Sequence, residues 1–379
     1  MWRKGLIASV LALVFSISCF AVPEVPAPSY LLMDAATGTV LCSQNPDERL
    51  APASVTKVMT LLLVLEAIDR GSLSWDGTVT ASAHAAGKGG SQVYLEEGEQ
   101  MSVREMVKCV VVASANDCAA ALAEAVAGSE DAFVEEMNRR AGELGMENTH
   151  FANCTGLDDE AGADVHYTTA RDIALMSREL LTHPEIREFT TIWMDTIRDG
   201  SFGLTNTNKL VRFYPDATGL KTGYTRSAGY CMSATAQRDG MELIAAVMHC
   251  DSSTDRFQSA KALLEYGFSA FSLIDPLEGT ALPPVTVTLG EADAVQPKPL
   301  RAEPMLLEKV QAAGLSRQVE LADAVEAPVE AGQALGTLRL MSGDAVIAEI
   351  PLVAETGVGR LTWAQLLRRL IGAPWQRAG

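Results

Sequence analysis

From residue 51 the chain reads Ala-Pro-Ala-Ser-Val-Thr-Lys-Val-Met-Thr. It then runs through Leu61, Leu62, Leu63, Val64 and Leu65 to Arg70 and Gly71. A helix over this stretch has almost no polar face, so it has to be enclosed on all sides. That demands a domain large enough to wrap it. Pro52 before the run and Gly71 after it fit a helix start and stop, and five consecutive aliphatic residues are far too few to span a bilayer. The start of the run carries Ser54 and Lys57. Three residues apart, they share a face of the first turn, where Ser54 Oγ and the Lys57 amine can meet. A serine hydroxyl is a weak nucleophile until a base takes its proton. A lysine serves as that base only when burial or neighbouring cations lower its pKa. The helix N-terminus adds N–H donors and a positive dipole end where an oxyanion would form. Ser-x-x-Lys alone is equally what a helix start with a solvated lysine presents, so the rest of the chain decides.

A length of 379 residues suits two domains, and 48 acidic against 30 basic residues give a net charge of −18. Such a surface repels a phosphate backbone and argues against a nucleic-acid partner. Arg3 and Lys4 precede an apolar core over residues 6–15, with Cys19-Phe20-Ala21 at the expected cleavage position. Residues 1–21 therefore read as an export signal rather than an anchor. Beyond it lie Cys42, Cys109, Cys118, Cys154, Cys231 and Cys250, with no Cys-x-x-Cys spacing; export permits disulfides, but apolar surroundings favour small buried hydrophobes. The histidines are scattered and no His-Glu-x-x-His occurs, so neither metal nor cofactor is expected.

Residues 30–34 and 39–42 flank a turn at 35–38 and read as a hairpin. Ser102 and Glu105 form a capping-box pattern before a helix that runs into Ser114. One helix is expected over about 118–144, another over 168–181, and a third over 255–268. Residues 210–225 read as strand, turn and strand, and 231–235 and 243–250 as further strands. Strands at both ends with helices between them indicate an α/β domain whose sheet pairs N- and C-terminal strands. After Asp275-Pro276 the texture changes to prolines and short alternating runs, including a hairpin at 337–350, so 276–355 reads as a small all-β domain.

Two further motifs follow Ser54-x-x-Lys57. Ser114-Ala115-Asn116 begins about sixty residues on, and Lys221-Thr222-Gly223 follows after about a hundred more. Singly, the first is an ordinary interhelix turn and the second a strand end. Together they supply the parts of acyl transfer. Ser54 attacks a carbonyl and Lys57 takes its proton. Ser114 relays a proton to the leaving amine, and Asn116 holds a substrate amide. Lys221 gives a fixed positive charge opposite a substrate carboxylate, Thr222 adds a donor, and Gly223 lets the substrate backbone lie against an edge strand. The N–H groups of Ser54 and Tyr224 would form the oxyanion hole. Crowded cations would keep Lys57 partly deprotonated.

The three motifs in this order resemble the penicillin-recognising serine enzymes. With Asp34-Ala35-Ala36-Thr37-Gly38, Phe151-Ala152-Asn153-Cys154-Thr155-Gly156-Leu157 and Gly219-Leu220-Lys221-Thr222-Gly223-Tyr224-Thr225, the chain resembles the serine-type D-alanyl-D-alanine carboxypeptidases, the low-molecular-weight penicillin-binding proteins, over about residues 25–275. The resemblance implies a β-lactamase/transpeptidase-like catalytic domain (22–275) before the β domain. It implies removal of the terminal D-alanine from peptidoglycan pentapeptides, inhibition by β-lactams, and action outside the cytoplasm. Arg256 sits where the family often holds the terminal carboxylate; the alternative is a solvated helix-start arginine. Class A β-lactamases usually carry Ser-Asp-Asn and a water-activating glutamate. Here the middle residue is Ala115, and Glu179 and Glu185 read as surface charges, which leaves Lys57 and Ser114 to activate the deacylating water. A β-lactamase, a DD-endopeptidase and a non-catalytic peptidoglycan-binding module are the competing readings. The last has no use for both Ser54 and Lys57.

The tail, 356–379, reads as an amphipathic helix. Trp363, Leu366, Leu367, Leu370 and Ile371 share one face. Arg360, Arg368, Arg369 and Arg377 occur between 360 and 379 with no acidic residue. A basic, tryptophan-bearing segment on so acidic a chain suggests that residues 360–379 lie on an anionic membrane surface. Packing of its apolar face on the β domain is the alternative.

Overall fold

The computed structural model describes residues 21–158, 165–301 and 303–372. Apart from Ala21, the leader read at 1–21 lies outside them, as do residues 373–379 of the tail. Strands β1 (Ser29–Asp34) and β2 (Val40–Gln44) form the expected hairpin. Helix α1 (Lys57–Asp69) follows, then α2 (Val103–Val112), α3 (Asn116–Ala127), α4 (Glu130–Glu143) and α5 (Ala170–Leu180). Strands β3 (Ala217–Thr225), β4 (Gly229–Arg238) and β5 (Met241–Cys250) and helix α6 (Ser253–Ala270) complete the unit. The sheet order is β2-β1-β5-β4-β3, antiparallel throughout, so N- and C-terminal strands do pair, through β1 and β5.

Both faces of this sheet are covered, and that explains why its inner strands read as continuous apolar runs. Successive side chains point to opposite faces. Leu31, Met33, Ile244, Ala246 and Met248 enter the core around α1. Leu32, Leu243, Ala245 and Val247 enter a second core with Leu263, Leu264 and Phe268 of α6. Helix α1 is buried from Lys57 through Leu65, as its lack of a polar face requires, and Gly71 turns the chain out of it at φ +76°.

Two expected elements differ. The helix expected over 118–144 is broken in two. Gly128 at φ +84° ends α3, and Ser129 caps α4 by accepting the Ala132 N–H. The first of the two strands expected in 210–225 is instead the single helical turn Leu210–Phe213, because Asn208 accepts the Leu210 N–H and donates to Gly219 O, folding the chain back before β3.

Strand Phe271–Ile274 pairs with Met305–Glu308. Beyond it lie a three-stranded and a four-stranded sheet with their own small cores, the hairpin of Ala334–Ser342 and Ala345–Ala354 at the centre of the larger. Among the described residues the cysteines are all unpaired; Cys42 is half-buried and the rest are buried.

Candidate active site

Ser54 lies in a 3-10 turn, Ala53–Thr56, that leads into α1. Ala53 adopts φ +48°, an unfavourable conformation for a residue with a Cβ, and holds it only because its surroundings impose it. Thr56 Oγ1 donates to Ala53 O at 2.8 Å. His166 backs Thr56: Nδ1 accepts the Ala152 N–H at 3.1 Å, so the ring proton sits on Nε2, 2.8 Å from Thr56 Oγ1. Burial pushes the His166 imidazolium down to about 4, which keeps that tautomer neutral. Two glycines let the chain close around the turn. A Cβ on Gly156 would lie 1.8 Å from Ala53 O, and one on Gly223 would lie 2.7 Å from Pro52 O and 3.0 Å from Ser54 N. The space that a Cβ on Gly223 would need is therefore occupied by the Ser54 turn.

Lys57 is fully buried. Its Nζ lies 3.0 Å from Ser54 Oγ, 2.5 Å from Asn116 Oδ1 and 2.8 Å from Thr155 O. Asn116 Nδ2 donates to Gly89 O at 2.7 Å, which fixes Oδ1 as the atom facing Lys57. Two of the three partners of Nζ are thus pure acceptors; only the Ser54 hydroxyl has a proton to give. A neutral amine has two N–H bonds and one lone pair, and these neighbours direct the lone pair at Ser54. Burial lowers the Lys57 ammonium to about 7, against smaller raising influences from Cys154 and Asp117. The lowering thus comes from desolvation rather than from the neighbouring cations that the sequence argument credited. Asn116 is buried with both polar atoms engaged inside the protein, so contact with a substrate amide would require it to release one of them.

Ser114 lies in the α2–α3 connection at φ +60°. Lys221 Nζ, on β3, donates to Ser114 Oγ and to Thr222 O, each at 2.8 Å. Burial is the first cause that holds the Lys221 ammonium well below the usual lysine range; the charges of Lys57 and Arg256 add to it. An anion arriving beside Lys221 would favour its charged form. Thr222 Oγ1 donates to Thr207 Oγ1 at 2.7 Å. Ser54, Ser114, Thr222, Gly223, Tyr224 and Arg256 line one pocket of about 270 Å³, together with Ser91, Thr207 and Tyr230. No carboxylate lines it among the described residues, and Glu179 is spent on Arg140 at 2.6 Å. The Tyr224 ring stacks on Tyr230 with centroids 4.3 Å apart. Arg256 is not a solvated helix-start arginine: it is buried under the Tyr230 ring and donates to Gly223 O at 3.0 Å. Ser91, Thr207 and the carbonyls of Gly89 and Thr155 were not legible from the sequence, because a loop serine or a backbone oxygen carries no motif.

A catalytic-domain family model, D-alanyl-D-alanine carboxypeptidase of the S11 peptidases, matches residues 18–252, and the penicillin-binding protein 5 C-terminal domain matches 278–360. The chain belongs to the serine-type D-alanyl-D-alanine carboxypeptidases. This member is 38% identical over 381 residues to the D-alanyl-D-alanine carboxypeptidase DacF of Bacillus subtilis, covering 97% of each chain. It is 32% identical to DacC of Escherichia coli, over 94% of this chain and 92% of that one. Among solved structures, penicillin-binding protein 5 from Haemophilus influenzae superposes with a TM-score of 0.74 at 30% identity, over 89% of this carboxypeptidase and 99% of that chain. Penicillin-binding protein D2 from Listeria monocytogenes, in its ampicillin-bound form, matches at TM-score 0.59 and 34% identity, over 65% of this chain and 100% of that one.

Proposed function

We propose that this carboxypeptidase removes the terminal D-alanine of peptidoglycan pentapeptides through an acyl-enzyme on Ser54. The observation that carries the reading is the set of partners around Lys57, which leaves its lone pair for Ser54 Oγ alone. Lys57 takes the hydroxyl proton as Oγ adds to the penultimate carbonyl. The N–H groups of Ser54 and Tyr224 receive the oxyanion. Ser114, its oxygen accepting from Lys221, passes its hydroxyl proton to the departing D-alanine nitrogen as the peptide bond breaks, and the proton that Lys57 took then replaces it on Ser114, which leaves Lys57 a free amine again. Lys221, Thr222 and Arg256 hold the terminal carboxylate. Water then attacks the ester and gives its proton to Lys57, which restores Ser54. A β-lactam carbonyl enters the same first step and is released slowly. The test is labelled penicillin followed by mass analysis, together with D-alanine release. The expected result is one adduct, on the peptide containing Ser54, and release from a free-acid pentapeptide but not from its C-terminal amide. Rapid turnover of penicillin would favour a β-lactamase, and equal cleavage of the amide would overturn the carboxylate site.

We further infer that the enzyme acts at the outer face of the cytoplasmic membrane and rests there on its C-terminal helix, Trp363–Gly372. Arg369 pairs with Asp293 at 2.6 Å and Gln365 contacts Glu291, so the polar flank faces the β domain. Trp363 remains 87% and Leu367 58% exposed among the described residues, an apolar flank of a composition suited to a lipid interface. Among the described residues no helix is long and apolar enough to cross a membrane. Arg360 and Leu361 are bonded into the β domain, so a clean deletion begins at Thr362. Removing 362–379 is expected to move active enzyme from the membrane to the soluble fraction with kcat unchanged; a truncated enzyme that still sediments with membranes would refute the anchor.

A further inference from the structure

Glu130 opens α4 outside the pocket, yet its carboxylate gathers partners from two separate segments, 84–88 and Cys154. Lys88 Nζ lies 2.7 Å away and His84 Nε2 2.6 Å. The backbone N and the Sγ of Cys154 both lie at 3.1 Å. The pair with Lys88 is enclosed, with side chains 4% and 9% exposed for Lys88 and Glu130. Each held segment delivers, one residue later, an acceptor of the Lys57 network. Lys88 precedes Gly89, whose carbonyl takes Asn116 Nδ2 at 2.7 Å, and Asn116 Oδ1 takes Lys57. Cys154 precedes Thr155, whose carbonyl takes Lys57 directly at 2.8 Å. Both acceptors that claim the N–H bonds of Lys57 are thus indexed to one carboxylate.

We propose that Glu130, paired with Lys88, is a positioning residue for acyl transfer: it sets the two carbonyl-bearing segments that aim the Lys57 lone pair at Ser54. The proposal rests on the reading of Lys57 as the base. Glu130→Gln takes a charged acceptor from Lys88, so the segment that carries Gly89 is held less firmly. The Cys154 amide loses a charged acceptor, and Thr155 loosens. Lys57 acts on bond making rather than on holding the substrate, so the loss falls on kcat and the acylation rate rather than on KM. Displacement of a reacting group by about 1 Å is enough for a loss on the order of 10²-fold.

The test uses the full chain with Glu130→Gln, Lys88→Met, the double variant and Lys57→Ala. D-alanine release, acylation by labelled penicillin and thermal melting are followed in each. Both single variants are expected to lose roughly 10- to 100-fold in kcat and in acylation rate, with KM changed less than about 3-fold. The double variant should be no worse than the weaker single, because the pair acts as a unit. A melting shift alone, a raised KM at unchanged kcat, or losses that multiply in the double variant would each overturn the positioning role. Should Glu130→Gln fail to fold, Lys88→Met decides, since Glu130 there keeps its contacts with His84 and Cys154. If Lys57→Ala acylates normally, the base assignment has failed. If Lys57→Ala is inert while both pair variants are fully active, only the role of Glu130 has failed.

Discussion

Ser54→Ala is expected to abolish covalent labelling by penicillin and to reduce D-alanine release on the order of 10⁶-fold, the scale seen when a serine hydrolase loses its nucleophile. Among the described residues no hydroxyl but that of Ser54 bonds the Lys57 amine. Ser114, in the same pocket, has its oxygen bonded to Lys221, and no contact joins it to the amine of Lys57. Thr222 spends its hydroxyl proton on Thr207. The loss should be chemical rather than structural. Ser54 Oγ makes its hydrogen bond only with Lys57, and the turn is held by Thr56, Gly156 and Gly223, none of which the substitution touches. The melting temperature is therefore expected to stay within about 2 °C, since a surface-type change is worth about 0.5 kcal/mol or less. Penicillin should still bind reversibly, because Lys221, Thr222 and Arg256 remain in the pocket. An adduct that forms on the variant at the normal rate would place the nucleophile elsewhere.

How far the sequence reaches is set by the range of the interaction concerned. Ser54 and Lys57 meet through the period of one helical turn, and the order of three motifs was enough to indicate the α/β domain and residues that share one pocket in it. The break at Gly128-Ser129 was written in the chain as a C-terminal glycine followed by an N-cap serine, but alanines on both sides masked it. The turn at Leu210–Phe213 depends on Asn208 reaching Gly219, a contact that no local pattern announces. A glycine at 223 tells that something lies close without telling that it is the Ser54 turn. For Lys221 the motif gives the residue type and not the depth of its burial. Glu130, Lys88 and His84 were invisible as a cluster: they lie more than forty residues apart in part, with no shared spacing, and only folding brings the carboxylate against the loop carrying Gly89.

The second large effect concerns the proton. With the Lys57 ammonium lowered to about 7 by burial, the free enzyme loses its base as pH falls through that value and holds it above. The second-order rate of acylation by penicillin reports the free enzyme, so it is expected to rise through about pH 7 and level off on the alkaline side of that step. Lys57→Ala should lower acylation about 10²- to 10⁴-fold even at saturating substrate, the range of a general base, and the step near pH 7 should vanish with it. The disappearance of the step is the stricter requirement. Removing Lys57 also strands Asn116 Oδ1 and Thr155 O, and a purely structural disturbance of that kind would lower the rate at every pH while leaving the step in place. The other buried groups near the site do not mimic it. His166 is held near 4, and Arg256, lowered only to about 10, stays charged across the range. Lys221 runs in the opposite sense: its protonation at lower pH favours a carboxylate ligand, so it cannot produce a rate that falls with acid. A pH step that survives unchanged in Lys57→Ala would therefore remove Lys57 from the chemistry, whatever the size of the rate loss.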